Sequence, residues 1–186
     1  QRAMHINPNW GMTHYNLGLL AQLQGSFSEA HGHYRQAQRL SPSSPLPAFV
    51  EATLDLLEGK FASGWSKYHL RTTASSSPLL FASVATPVWD GRPLNGKSIL
   101  IYGEQGLGDE IMFASCFREI IDKASQVHIA CQPKLEKLFR LSFPETIVVP
   151  MVANWESPWL SRPDPTDFMA AVGDLPVHLR QSKPSF

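Results

Sequence analysis

Three acidic residues and three glycines crowd into one short run, Gly103-Glu104-Gln105-Gly106-Leu107-Gly108-Asp109-Glu110. Glycines at 103, 106 and 108 mark places where backbone turns sharply or lies close to something else. A phosphate is a poor occupant for this turn. The order is G-x-x-G-x-G rather than G-x-G-x-x-G, and there is no lysine-serine pair of the P-loop type. Glu104, Asp109 and Glu110 would also repel a phosphate at a helix end that otherwise attracts one. Asp109 suits a helix N-terminus, where a capping side chain contributes about 1 kcal/mol without any catalysis. Among the other candidates, His31 and His33 are two apart on a helix, so they diverge and should not chelate a metal together; no metal site is expected. His128 alternates into a buried strand. Cys116 and Cys131 have no basic neighbour in sequence to lower a thiol pKa, and read as reduced core residues.

These residues need a strand before them and a helix after. The β-branched apolar run before Gly103 predicts a buried parallel strand over Ser98–Tyr102. A helix follows over Glu110–Asp122, with Ile111, Met112, Phe113, Cys116, Phe117 and Ile120 facing inward and acidic residues in its first turn. Strand, glycine turn and helix form the opening unit of a nucleotide-binding-like α/β sheet. Further strands are expected over Gln126–Ala130, Thr146–Pro150 and Asp167–Val172. Further helices are expected over Pro133–Leu141, with proline acceptable at its start, and over Leu175–Arg180. Residues 151–165 read as loop. The connections are short and the crossovers should be right-handed.

The chain before residue 72 follows a different rule. AMHINP at residues 3–8 recurs as AQRLSP at 37–42, and the same offset of 34 pairs Gly25 with Gly59, Phe27 with Phe61 and Tyr34 with Tyr68. A period of 34 resembles that of the tetratricopeptide repeat. The unit from Gly11 to Ser44 carries Leu17, Gly18, Ala30, Tyr34, Ala37 and Pro42 at that repeat's signature spacing, with His14 and Ala21 atypical. Helices are expected over Met12–Gln24 and Ser28–Leu40, then over Leu46–Glu58 and Ala62–Arg71 in a degenerate second unit. Small Gly18 and Ala30 let paired helices approach, while Tyr34 and Ala37 pack against the next repeat. Before this unit lies the tail of an earlier one, so more repeats are expected upstream. Such arrays bind extended peptides on a concave face, which here would present Met12, Tyr15, Asn16, Leu19 and Leu23. The expected organisation is residues 1–71 as repeats, one full and two partial, 72–97 as a linker, and 98–186 as the α/β part. Trp89 and Leu94 would pin the linker to the latter.

With 186 residues, 43% apolar, and a formal net charge of zero, the chain has no electrostatic grip for nucleic acid or an anionic membrane. No apolar run approaches the ~20 residues of a membrane span, and a cytoplasmic protein is expected. The N-terminus begins mid-pattern, which reads as a piece of a longer protein.

Three stretches together, WDGRPLNGKSILIYGEQGLGDEIMFAS, VHIACQPKLEKLFRLSFP and GDLPVHLRQSKPSF, resemble bacterial tetratricopeptide-repeat proteins with a glycosyltransferase-like C-terminal region. That region is similar to the heptosyltransferase family and, in architecture, to O-linked N-acetylglucosamine transferases. The resemblance implies α + α/β architecture: helical repeats followed by the first half of a two-lobed, Rossmann-like (GT-B) transferase. That half faces the acceptor, while a half beyond Phe186 would hold a nucleotide-sugar donor. No cofactor or metal is implied. The GLGD of residues 106–109 resembles the heptosyltransferase turn whose aspartate is the proposed general base, a role that would fall on Asp109. An inverting transfer needs a carboxylate within hydrogen-bond reach of the attacking hydroxyl. Gly103, Gly106 and Gly108 would let the acceptor approach the backbone, with Glu104 or Gln105 contacting it. Trp155 and Trp159 would line the cleft or cover the sheet edge, and Arg162 and Arg180 would meet an anionic acceptor or, as the default, stand as surface charge. Asn16 resembles the inward asparagine that grips client backbone in O-linked N-acetylglucosamine transferases. The implied function is sugar transfer from a nucleotide donor to a protein or glycan acceptor, with the repeats recruiting a protein partner. The 186-residue piece alone would be inactive. The competing class is a non-catalytic peptide-binding scaffold.

Overall fold

The computed structural model describes residues 10–74, 86–151 and 166–185. The partial repeat expected at residues 1–8 and the loop bearing Trp155, Trp159 and Arg162 lie outside them. The chain divides into two compact units.

The first unit is helical: α1 (Gly11–Leu23), α2 (Phe27–Leu40), α3 (Leu46–Leu57), α4 (Phe61–Tyr68) and a short α5 (Arg71–Ala74). Gly25 and Gly59, 34 residues apart, end α1 and α3 at φ of +76° and +77°, the left-handed backbone that glycine adopts without penalty. Fully buried Tyr34 organises the core, packed with Ala21, Ala30 and Leu54 and flanked by Tyr15, Leu19, Phe27 and Val50. Its ring lies over Gly18, where a Cβ would come within 2.5–2.6 Å of Cε1 and Cδ1. Its hydroxyl donates to Gln22 Oε1 at 2.6 Å. Burial, helped by Tyr15, pushes the phenol up to about 12. The helix expected over 62–71 breaks after Tyr68. The Ser66 and Thr72 hydroxyls bond the carbonyls of Ser63 and His69, competing with the helical ladder.

The second unit holds a four-stranded, all-parallel sheet in the order β3-β2-β1-β4, with β1 Ser98–Tyr102, β2 Gln126–Cys131, β3 Ile147–Pro150 and β4 Phe168–Ala171. Ile99 registers with Val127 on one side and Phe168 on the other. After β1 come α6 (Leu107–Phe113), a 3₁₀ turn (Ala114–Cys116) and α7 (Phe117–Ile121). After β2 come a 3₁₀ turn (Pro133–Leu135) and α8 (Glu136–Ser142), and α9 (Pro176–Leu179) follows β4. Phe117 packs edge-on to Phe139 at 5.6 Å, with Phe143 completing the cluster.

Three expectations are corrected here. The first helix begins at Leu107, not at Glu110, because Gly106 serves as its N-cap, and the 3₁₀ turn interrupts it. Ile111 and Met112 are exposed rather than inward. The buried stripe through Ile120, Phe117 and Phe113 runs back to Glu110, so the two residues after Glu110 point outward. Arg180 is buried and partnered rather than surface charge; an arginine's aliphatic stem readily covers apolar surface.

Residues 87–89 run beside β4: Trp89 N–H donates to Met169 O and Met169 N–H to Pro87 O. Trp89 and Leu94 are both buried. At the N-terminal ends of β1 and β4, Asp167 accepts from Ser98 N–H and Oγ and from Lys97 Nζ. These bonds, the Ser98 N–H first, hold its carboxyl down to about 2.

Candidate functional site

The chain leaves β1 with β2 on one side and β4 on the other. In open parallel sheets, ligands bind outside the carboxyl ends of the strands where strand order reverses. Residues 103–109 occupy that place. Gly103 N–H continues the ladder, donating to Ala130 O at 2.7 Å. Glu104 Oε1 accepts from Gly173 N–H at 3.2 Å, tying the loop to the 3₁₀ turn that follows β4. Gln105 stands at φ +62°, a left-handed conformation uncommon for a side-chain-bearing residue. Gly106 N–H donates to Asp109 Oδ2 at 3.0 Å. Asp109 is thus the third residue of its helix and reaches back to the cap, one half of a capping box. The Cβ position of Gly108 faces open space, while that of Gly106 meets only Asp109.

Gly103 departs from its expected role. The space beside it is filled by the Glu110 carboxyl, whose oxygens would lie 2.5–2.6 Å from a Cβ at 103. It therefore serves packing within the protein, and the accessible glycine backbone of the loop belongs to Gly106 and Gly108.

Glu110 is the residue that sequence reasoning passed over. It is fully buried, and its Oε2 accepts from Gln132 N–H at 3.1 Å. A signal was present, since it shares the helical stripe of Phe113 and Phe117. Burial pushes its carboxyl up, against the opposing pull of the Gln132 hydrogen bonds. The same burial, with Glu110 beside it, pushes the Cys131 thiol up to about 12, the opposite of a reactive thiolate. A carboxyl whose folded-state pKa lies above its unfolded one, near 4.3, stabilises the fold fully below the unfolded value. That contribution is lost as pH rises through the folded value. Glu110→Gln is therefore expected to match the wild type near pH 4 and to exceed it in stability at neutral pH, as urea unfolding across that window would show.

On α1, Met12, Asn16 and Leu23 are exposed, whereas Tyr15 and Leu19 are half-buried and pack on the Tyr34 core. Met12 and Tyr15 share a shallow groove of about 170 Å³ with Trp10, Ser44, Leu46 and Pro47. His31 and His33 diverge as their spacing requires: His31 meets Glu51 and Glu58 on the α3 side, and His33 meets His14 on α1. His128 is buried within β2.

No family model matches the chain. It is similar to Protein FlbA of Caulobacter vibrioides, 28% identical over 198 aligned residues covering 99% of this chain and 33% of the relative. The chain spans about a third of that relative's length. Among solved structures, the K341M mutant of the Thermobaculum terrenum O-GlcNAc transferase aligns over 80% of this chain and 36% of that one, at 17% identity and a TM-score of 0.38. Among the described residues, no helix is long and apolar enough to cross a membrane.

Proposed function

We propose that the α/β unit is the acceptor-side half of a Rossmann-like, nucleotide-sugar-dependent glycosyltransferase, and that the helical unit is a tetratricopeptide array recruiting a protein partner. The observation that supports this most is the position of residues 103–109: a loop with open glycine backbone and two carboxylates, at the carboxyl edge of a parallel sheet where strand order reverses. An acceptor would lie against Gly106 and Gly108, with Glu104 and Gln105 at its flank. Asp109 would take the proton of the acceptor hydroxyl as that oxygen attacks the sugar's anomeric carbon and the nucleotide leaves. The Gly106 hydrogen bond engages Oδ2 and fixes the carboxylate's direction, with Oδ1 left to face the acceptor. The exposed Met12, Asn16 and Leu23 of α1 would contact the partner.

The test is transfer from a panel of nucleotide sugars by the full-length gene product. Asp109→Asn keeps an acceptor for Gly106 N–H, so the helix cap survives. It is expected to lower kcat by about a hundredfold, the lower end of what a positioned base contributes, with little change in KM or melting temperature. Full activity in Asp109→Asn would remove the base from Asp109. No turnover with any donor, alongside peptide binding by the helices, would leave a scaffold.

A further inference from the structure

α3 is an apolar helix with acids in one row: Glu51, Asp55 and, just past its end, Glu58. Spacings of four and three place them on one face, and that face meets buried His31 of α2. Both ring nitrogens of His31 face carboxylates. Nδ1 is 3.3 Å from Glu51 Oε1; Nε2 is 2.7 Å from Glu58 Oε2 and 3.7 Å from Asp55 Oδ1. A neutral imidazole has one N–H and one lone pair, so one nitrogen would point its lone pair at a carboxylate oxygen. A cation at that nitrogen removes the conflict, and it is either a second proton or a metal.

The surroundings fit a metal. With Nδ1–H donated to Glu51, the Nε2 lone pair would face Asp55 and Glu58, the carboxylate–histidine–metal arrangement. Glu51 is itself balanced by Arg35 and Lys67, at 2.9 and 3.3 Å. Asp55 Oδ2 accepts from Ser63 Oγ of α4 at 2.6 Å, which orients Oδ1 toward His31. Glu58 Oε2 is shared with Lys60 Nζ at 3.0 Å, an exposed side chain free to swing away. His31, Asp55 and Glu58 present ligand atoms within 4.8 Å of one another. Ligands about 2.0–2.1 Å from a tetrahedral Zn²⁺ stand ~3.3 Å apart, so the 3.7 Å pair would close and the 2.7 Å pair open by about half an ångström each. One imidazole nitrogen with two carboxylate oxygens suits Zn²⁺ or its transition-metal neighbours better than Ca²⁺ or Mg²⁺, which prefer oxygen alone.

We propose that His31 Nε2, Asp55 and Glu58 bind a divalent transition cation of the Zn²⁺ class, with water as the fourth ligand, clasping α2 to α3. Calorimetric titration of Zn²⁺ into the EDTA-treated 186-residue chain should give one equivalent of binding, a raised melting temperature, and a tetrahedral absorption spectrum when Co²⁺ is used instead. Asp55→Asn and Glu58→Gln should each weaken binding by more than about tenfold, the loss typical of altering even an outer-shell partner. Glu58 lies at the rim, so that variant is expected to fold. His14→Gln disables the neighbouring His14–His33 pair, whose Nδ1 atoms are 3.1 Å apart, and should leave binding unchanged. Failure of the wild type to bind Zn²⁺, or binding unaltered by Glu58→Gln, would overturn the proposal.

Discussion

Tyr34→Ala should unfold the helical unit locally before anything happens to the sheet. The ring is fully buried and fills the space over Gly18 among Ala21, Ala30 and Leu54. Emptying a buried aromatic site costs about 3–5 kcal/mol, transfer and cavity terms together. The small neighbours leave little that can relax inward. Gln22 also loses the hydroxyl at 2.6 Å, although it is near enough to solvent to find water. Amide hydrogen exchange should show protection falling across α1 and α2 by that amount, with β1 and β2 unchanged. Tyr34→Phe should cost only about 1 kcal/mol, the usual worth of one hydrogen bond. Equal losses for the two variants would mean that the hydroxyl, not the ring, holds the helices.

Gly103→Ala should destabilise the sheet by about 3 kcal/mol, from overpacking and from a buried carboxyl driven off its donor. The added methyl would lie within 2.6 Å of both Glu110 oxygens, and Glu110 is fixed by its bond to Gln132 N–H and by complete burial. The clash is specific to that carboxyl. Glu110→Ala in the same chain should therefore recover much of the loss, giving a double-mutant interaction energy well above 1 kcal/mol. Protection of β1 amides is the readout. Additive losses in the double variant would show that the cost at position 103 does not come from the Glu110 carboxyl.

The two halves of the chain were legible in sequence to different depths. The helical part showed itself through repetition. Gly25 and Gly59 recur at the interval at which the chain must take a left-handed turn, and Gly18 is small because an aromatic ring needs the room. Periodicity did not reveal partnership across helices. Glu51, Asp55 and Glu58 read as ordinary polar positions until α2 sets His31 against them, 20 residues away from Glu51. In the sheet, β-branched runs located the strands to within a residue or two. The helix after β1 was misplaced because an acidic pair looks like a helix start, whereas Gly106, with no side chain to offer, caps it through the Asp109 carboxylate. Glu110 was obscured by the same pair. A carboxylate is almost never fully buried, so its helical spacing to Phe113 and Phe117, the one signal in the sequence, was outweighed by its charge.

The sheet order also constrains when each part forms during synthesis. Every helix of the first unit meets its neighbour across a short stretch of chain, so those pairs can close soon after they emerge. β1 has no such option on one side. Ser98 and Asp167 meet across 69 residues, and β4 must be made before that side of β1 is covered. Loop closure over such a span is slow relative to local pairing. The glycine loop beyond β1 is therefore ordered only once β4 has been made, later than the helices that precede it.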